Sequence, residues 1–387
     1  MVPATTLPLL LLLSAAAADV QTSCQDEEGN EVLWWFLLKK PQSYDYAYVT
    51  SADPTWWSKG STDLASPDSL LAKNIAGIAN SPWQVMYNDQ PPANVSNLPY
   101  PIVDKQGDTY YPTGGHMKGA LGAHYMVAHS IPRCCWHSAE RKFAMGSSAE
   151  GQHAMCITGL GLRTAWKTML AAVPHPFSPK LGPFTMPPDT PPPKHADAAR
   201  AFKVIAKPPG TYATGEDMAA AHLAMGSALG LRGVRIQSWR LIASWGAEYN
   251  FPNSPSSQFD IAHVCRIQLP IKDFGWETAM ADGTYGDHSK WAVGTDASGQ
   301  QWFCAMDNNY ACSQVLRGGG AYCLPDAGLA ATMRGAIADK GASDCSPSNA
   351  KCDFRCAERK PSCATACEGF PTSCKKGADG MKSLHVR

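Results

Sequence analysis

Two tripeptides carry the chemistry of this chain: His116-Met117-Lys118 and His288-Ser289-Lys290. Each follows glycine (Gly114 and Gly115; Gly286) and precedes a hydrophobic run (Ala120 and Leu121; Trp291, Ala292 and Val293). In an extended strand residues i and i+2 project from one face, which puts each imidazole beside its ammonium. A helix would send the same two residues to opposite sides. Two such pairs facing each other offer two nitrogen bases and two fixed cations, without a carboxylate or a metal. That set suits attack on a phosphodiester.

The surrounding sequence reads as α/β or α+β with mixed sheets. Residues 24 to about 172 mix aromatic, strand-like runs (Val32 to Leu38, Tyr44 to Thr50, Trp83 to Tyr87) with Gly/Pro/Asn/Asp turns. Residues 173 to about 212 are Pro-rich and read as an extended linker or surface loop. Residues 213 to about 345 resume a globular composition, with a helix expected over Glu216 to Leu229 and strands over Gln237 to Ser244 and Ile261 to Leu269. A loose repeat runs through both halves. The HxK tripeptide opens a strand, a turn follows, and a second strand returns with polar residues, His129 and Ser130 in one copy, Asp307 and Asn309 in the other. Two copies imply a pseudo-twofold arrangement with a site between the halves.

The formal charge of the 387 residues is zero at pH 7, which argues against a polyanion binder working at neutral pH. The 11 histidines change that balance in acid. Near pH 5 they would carry the net charge toward about +11 before carboxylates protonate. Such a chain becomes basic in an acidic vacuole or lysosome.

Leu7 to Leu13, followed by Ser14 and Ala15 to Ala18, reads as a signal peptide over residues 1–18 with an A-x-A type cleavage site. No later run approaches the length of a membrane span, so no membrane anchor is expected. Fourteen cysteines in a secretory-pathway protein are expected to be mostly disulfides, and Asn94-Val95-Ser96 is a glycosylation sequon. Beyond residue 345 the cysteines follow C-x6-C-x3-C spacing with few large apolar side chains between them. Residues 346–387 therefore read as a small disulfide-rich C-terminal tail, held by covalent staples rather than by a core or by zinc.

His124, His137 and His153 lack regular metal-ligand spacing and read as ordinary surface or core histidines; no metal is expected. Trp34, Trp35, Trp56 and Trp57 could stack on bases, although paired Trp on strands more often packs a core. Arg317 before Gly318-Gly319-Gly320 is either a phosphate-binding loop or a plain glycine turn, and Arg133 could also bind phosphate. Walker, zinc-finger and G-x-S-x-G signatures are absent from the sequence.

The two motifs in their context resemble the deoxyribonuclease II family, acid endonucleases related to the phospholipase D superfamily. The resemblance rests on Trp35-Phe36-Leu37-Leu38 with Lys40-Pro41, and on Tyr87-Asn88-Asp89-Gln90-Pro91-Pro92. It continues in Gly115-His116-Met117-Lys118-Gly119 with His129-Ser130-Ile131-Pro132. The last block is Asp287-His288-Ser289-Lys290-Trp291 with Cys304, Asp307, Asn309 and Arg317-Gly318-Gly319-Gly320. It spans roughly residues 24 to 345 and leaves the tail unmatched.

The resemblance implies a pseudo-twofold, phospholipase D-like fold of two mixed-sheet halves with flanking helices. The catalytic domain would run over 19–345, with halves at about 19–172 and 213–345 around the Pro-rich segment 173–212. Implied disulfides are Cys24 with Cys156, Cys265 with Cys345, and Cys304 with Cys323; Cys345 has a second claimant in Cys352 of the tail repeat. The implied activity is cofactor-free, metal-independent hydrolysis of DNA in acid without sequence preference, leaving 3′-phosphate and 5′-hydroxyl ends. His116 is assigned as the nucleophile and His288 as the acid/base. Lys118 and Lys290 hold the non-bridging oxygens. Ser130, Asp307, Asn309 and Arg317 are candidate phosphate or orienting contacts, Asp307 as a tautomer-fixing group. A monomer is expected, in a lysosome, an acidic vacuole or secreted. The rival readings are a phosphodiesterase of the same fold acting on lipid or RNA, and a non-catalytic secreted binding protein.

Overall fold

A computed structural model describes residues 21–92, 114–137, 140–146, 149–159, 161–177, 202–209, 228–239, 261–278, 286–309, 314 and 317–338, together with short strand backbone at 102–103, 109–110, 374–376 and 382–384. The leader, Asn94, Cys312, Cys345 and most of the tail and of the expected helix over Glu216 to Leu229 lie outside these residues.

Mixed α/β architecture is what the chain adopts, with two large sheets and few helices. The first sheet has seven strands in the order Asp53–Lys59, Tyr46–Thr50, Trp34–Lys39, Gln152–Thr158, Tyr125–His129, Lys118–Gly122 and Gln84–Asn88. All its pairings are antiparallel. The second has six, in the order Lys203–Lys207, Gly319–Leu324, Gln301–Met306, Trp291–Thr295, Arg232–Gln237 and Ile261–His263. One parallel pair, Arg232–Gln237 with Ile261–His263, makes it mixed.

The two sheets share a strand plan. In the first, the run from Trp34–Lys39 through Gln152–Thr158, Tyr125–His129 and Lys118–Gly122 to Gln84–Asn88 matches the run from Lys203–Lys207 to Arg232–Gln237 in the second. A helix follows the corresponding strand in each half, Leu162–Leu170 in one and Ala327–Gly335 in the other. This is the pseudo-twofold arrangement that the repeated tripeptide requires.

Period-two alternation assigns the faces. From the strand Trp34–Lys39, residues Trp34, Phe36 and Leu38 join a core shared with Trp291, Val293, Phe303 and Tyr322 of the second sheet. Trp35 and Leu37 point the other way, into a cluster with Leu70, Leu71, Ile75 and Ile78 of the helix Leu70–Asn80. Both faces are covered, which is why the segment is a nearly unbroken apolar run. Phe36 meets Phe303 edge-on across the sheets, with ring centroids 4.6 Å apart. Ser69 caps the first helix by accepting the Ala72 N–H at 3.2 Å, and Asp326 caps Ala327–Gly335 through Leu329 N–H at 2.9 Å.

Three expectations shift. Residues 203–207, inside the Pro-rich segment, form an edge strand of the second sheet. Locally Phe202, Val204 and Ala206 alternate and pack on the shared core, which overrides the proline-rich average. Of the strand expected over Gln237 to Ser244, Gln237 closes the strand Arg232–Gln237, and residues 240–244 lie outside the described residues. The run Ile261 to Leu269 is broken into Ile261–His263 and Arg266–Gln268. At the break, Thr278 Oγ1 donates to the Val264 and Cys265 carbonyls, and the second piece pairs with Gly275–Glu277 instead of continuing the sheet. Among the described residues, no helix is long and apolar enough to cross a membrane.

Candidate active site

Each HxK motif lies at the mouth of a strand. Lys118 is the first residue of Lys118–Gly122, and Lys290 immediately precedes Trp291–Thr295. Each motif is also stitched to the opposite half. His116 N–H donates to the Gly318 carbonyl at 2.8 Å, and Gly318 N–H returns to Gly114 at 2.9 Å. His288 N–H donates to the Gly151 carbonyl at 2.8 Å, and Gly151 N–H returns to Gly286 at 3.2 Å. Gly318 and Gly151 directly precede equivalent strands of the two sheets, so the two clasps obey the same pseudo-twofold. The glycines have a steric reason. A Cβ at Gly318 would collide with the Ala172 carbonyl oxygen, and Gly114 adopts φ +80°.

The first motif is built around an acid. Asp89, the third residue of Tyr87-Asn88-Asp89, is buried and accepts a close ion pair from Lys118. Its second oxygen takes the Arg317 guanidinium at 2.7 Å and lies 3.9 Å from His116 Nε2. The pairing of Asn88 with Lys118 across neighbouring strands brings Asp89 there. On the other ring nitrogen, His116 Nδ1 is 2.8 Å from the Asp307 carbonyl oxygen. A carbonyl only accepts, so Nδ1 carries the proton and Nε2 keeps its lone pair.

The second motif has a different surround. Lys290 N–H donates to His153 Nδ1 at 3.0 Å. Asp287 is buried, accepts from Trp276 Nε1 at 2.9 Å and from Ser289 N–H at 2.8 Å, and so fixes the turn that carries His288. The Trp239 ring lies 5.1 Å from the His288 ring, centroid to centroid. Lys39 stands behind, donating to the Glu150 carbonyl at 2.6 Å.

Burial and cation crowding set the titration of these groups. Burial, then the charges of Lys118, Arg317 and Lys290, holds His116 well below 6.5 against the opposing Asp89. His288 is held well below 6.5 by burial and by Lys290, Lys118 and Lys39. Each motif's lysine thus bears on the other motif's histidine. Burial and Lys118 push the Lys290 ammonium down to about 7, against Asp89, Asp307 and Asp287. Asp89 is the reverse case. Burial would raise it, but Lys118, His116 and Arg317 hold it well below the usual carboxylate range. Asp307 is raised by burial to about 7, although Tyr322 OH (3.0 Å) and Gly320 N–H (2.8 Å) stabilise its anion.

The remaining sequence candidates divide. Arg317 joins the site through Asp89. Asp307 orients His116 with its main chain, while its carboxyl is turned to Tyr322 and Gly320. Ser130 is engaged internally, bonding Gln152 and accepting His153 N–H at 2.9 Å. Asn309 is buried just past the strand Gln301–Met306. Three groups were not singled out from sequence as parts of the site: Asp89, Trp239 and Lys39. Three buried acids surround the two motifs, Asp89, Asp287 and Asp307, of which the sequence reading names Asp307 as a site candidate. His153 is a buried core histidine whose Nδ1 accepts the main-chain N–H of Lys290. His137 pairs with Glu140 at 3.6 Å on the surface. Trp34, Trp35 and Trp57 are core residues and Trp56 is exposed.

Disulfides join Cys24 to Cys156 and Cys304 to Cys323, the latter between directly paired residues. Cys265 is also disulfide-bonded, to a partner outside the described residues. Cys134 and Cys135, left unassigned by the sequence, are bonded to each other. Among the described residues, His129, Cys134 and Cys135 form the one group with metal-ligand proximity, but their sulfurs are already spent on that bond.

A pseudo-twofold pair of sheets that clasps one HxK motif from each half matches what the family comparison finds. The chain belongs to the deoxyribonuclease II family, whose model matches residues 23–174 and 235–341, one motif in each segment. At that level it is a DNase-like nuclease, a hydrolase whose family points to DNA as the substrate. The chain is similar to Plancitoxin-1 of Acanthaster planci, 24% identical over 359 residues that cover 82% of this chain and 91% of the relative. It is also similar to Deoxyribonuclease-2-beta of Mus musculus, 23% identical over 340 residues, 78% of this chain and 87% of the relative.

Proposed function

We propose that this protein is a metal-independent acid endonuclease that cuts DNA to 3′-phosphate and 5′-hydroxyl ends through a phosphohistidine. The observation that carries the reading is the His116 ring, which donates Nδ1–H to Asp307 and leaves Nε2 with a free lone pair among Lys118, Arg317 and Lys290. Nε2 attacks phosphorus, the P–O5′ bond breaks, and the protonated His288 ring gives its proton to the departing O5′. Neutral His288 then takes a proton from water, the hydroxide attacks phosphorus, and the N–P bond breaks. Lys118 and Lys290 neutralise the non-bridging oxygens, a task for which other phosphodiesterases recruit a metal.

The acid bias follows from burial. A histidine held below 6.5 is charged only in acid or beside a bound phosphate, and Lys290 loses its charge above about 7. A lysosome, an acidic vacuole or the secretory route fits this chemistry and the apolar leader of the sequence. Monomeric action is expected, since both motifs come from one chain. Asn309 keeps the phosphate contact that the sequence proposes for it and Asn94 the glycosylation, whereas Ser130, bonded to Gln152 and His153, supports the strand that carries His153.

The test is digestion of supercoiled plasmid at pH 5 and pH 7.5, with and without EDTA, beside His116→Ala and His288→Ala. Nicking in EDTA at pH 5 that both variants lose is expected. Loss of activity in EDTA would overturn the metal-free route. Turnover of phospholipid or RNA in place of DNA would select the rival substrate, and a wholly inert protein would favour the binding-protein reading.

A further inference from the structure

Next to the first motif lies a sulfur pair that the proposed reaction does not use. Cys134 and Cys135 are joined in a disulfide between neighbours in sequence, and both are buried. His129 Nε2 is 3.4 Å from Cys135 Sγ. The same ring accepts the Ile131 N–H on Nδ1 at 3.1 Å, so its proton is on Nε2 and is aimed at Cys135. A ring with its proton there, beside sulfurs bonded to each other, is poorly set to ligate a metal. It is well set to stabilise a thiolate.

We propose that Cys134–Cys135 is a thiol-exchange site beside the catalytic centre, opened by a low-molecular-weight thiol that attacks Cys134 while Cys135 leaves as a thiolate on the His129 N–H. The incoming thiolate forms an S–S bond to Cys134 Sγ as the Cys134–Cys135 bond breaks, and the electron pair departs with Cys135. A second thiolate attacks the mixed disulfide, giving the free Cys134 thiolate and the oxidised small thiol. Two electrons pass from the two small thiols to the protein.

Location distinguishes this bond from the others. Cys304 and Cys323 lie opposite each other in the interior of the second sheet, and Cys156 is in a central strand of the first. Cys134 and its neighbours Pro132 and Arg133 lie in a connecting segment, with Pro132 and Arg133 half-exposed. Small thiols therefore reach this bond before the sheet-bound ones.

Opening it bears on the catalytic site through three hydrogen bonds. Asn88 Nδ2 donates to the Cys134 carbonyl at 2.9 Å and to the Ile131 carbonyl at 3.4 Å. Arg133 N–H donates to the Gln90 carbonyl at 2.7 Å. Between Asn88 and Gln90 is Asp89, the counter-ion of Lys118 and Arg317. Loosening the 131–135 segment releases the brace on both sides of that acid.

The experiment exposes the folded protein at neutral pH to glutathione and traps it with N-ethylmaleimide. Peptide mass spectrometry then locates the adducts, and plasmid nicking at pH 5 is measured on the same samples. Expected are glutathione on Cys134 and maleimide on Cys135 before any label on Cys24, Cys156, Cys304 or Cys323, with nicking reduced by about tenfold. A Cys134→Ser, Cys135→Ser variant should lack the response to thiol. Glutathione on Cys135, earlier labelling of the sheet cysteines, or full labelling with nicking unchanged would overturn the proposal. The effect on nicking rests on the nuclease reading, whereas the order and position of labelling do not, and they decide the site even if the protein cuts nothing.

Discussion

Arg317 reaches across from the second half of the molecule to hold Asp89 of the first, with 2.7 Å between guanidinium and carboxylate. Lys118 holds the other oxygen of the same acid. One buried carboxylate therefore ties Lys118 of one motif to the loop that clasps the other half, and it stands 3.9 Å from the His116 nitrogen.

Asp89→Asn should accordingly leave the buried Lys118 and the half-buried Arg317 without their counter-charge. Breaking a buried pair by removing one partner costs about 3–5 kcal/mol, and misplacing Lys118 should lower kcat by about one to two orders of magnitude. Arg317→Met should cost less, because Lys118 still pairs with Asp89. Urea unfolding of both single variants and the double variant measures the coupling. Strict additivity would show that the pair does not act as a unit.

The pH–rate profile of kcat/KM should begin to fall below pH 6.5, as the buried His288 loses its proton, with a further fall above about 7 as Lys290 loses its charge. Lys290→Arg keeps its charge through that range and should flatten the further fall. A wild-type profile that is level from pH 5 to pH 9 would contradict the role given to Lys290.

Stability should move with pH in the direction that the buried histidines dictate. His116, His153 and His288 are held well below 6.5 chiefly by burial, and His129 is lowered to about 3 by the same cause. Their folded values lie below the unfolded 6.5, so their contribution is present above pH 6.5 and lost as pH falls through the folded values. Asp307 runs the other way. Raised from 3.8 to about 7, its contribution is present below pH 3.8 and lost as pH rises through 7. Four histidines outweigh one aspartate, so Tm should drop between pH 7 and pH 5, and His129→Gln should make the drop shallower. Thermal unfolding followed by circular dichroism measures it; a Tm that rises on acidification would contradict this account.

Asp307→Asn separates main chain from side chain. His116 is oriented by the Asp307 carbonyl oxygen, which the substitution keeps, so nicking at pH 5 should survive while the opposing stability term of Asp307 disappears. Loss of activity comparable to His116→Ala would assign the orienting role to the carboxyl instead.

Much of this site is written locally. The HxK spacing, the hairpins that follow and the alternation of Trp34, Phe36 and Leu38 place both motifs at strand mouths of paired sheets. Asp89 was not legible as a site residue, because its link to Lys118 arises only when Asn88 and Lys118 pair in register. The strand Lys203–Lys207 was hidden for a related reason. Prolines dominate the composition of its neighbourhood, while its own alternation spans only a few residues. Yet Lys207 donates to the Gln314 carbonyl at 3.1 Å and to that of Arg317, and so holds the loop that presents Arg317. The position of Arg232–Gln237 depends on antiparallel pairing with Trp291–Thr295, a contact between residues far apart in the chain.

The central claim is that His116 Nε2 is the nucleophile. It is tested most directly with thymidine 3′-(p-nitrophenyl phosphate), labelled at phosphorus with ³²P, on the His288→Asn variant. Nitrophenolate leaves without a proton, so attack proceeds, while the missing base at 288 stalls hydrolysis of the intermediate. Alkaline quench and peptide mapping should find label on the peptide that contains residue 116. A burst of nitrophenolate with no protein-bound label, or label elsewhere in the chain, would contradict the account.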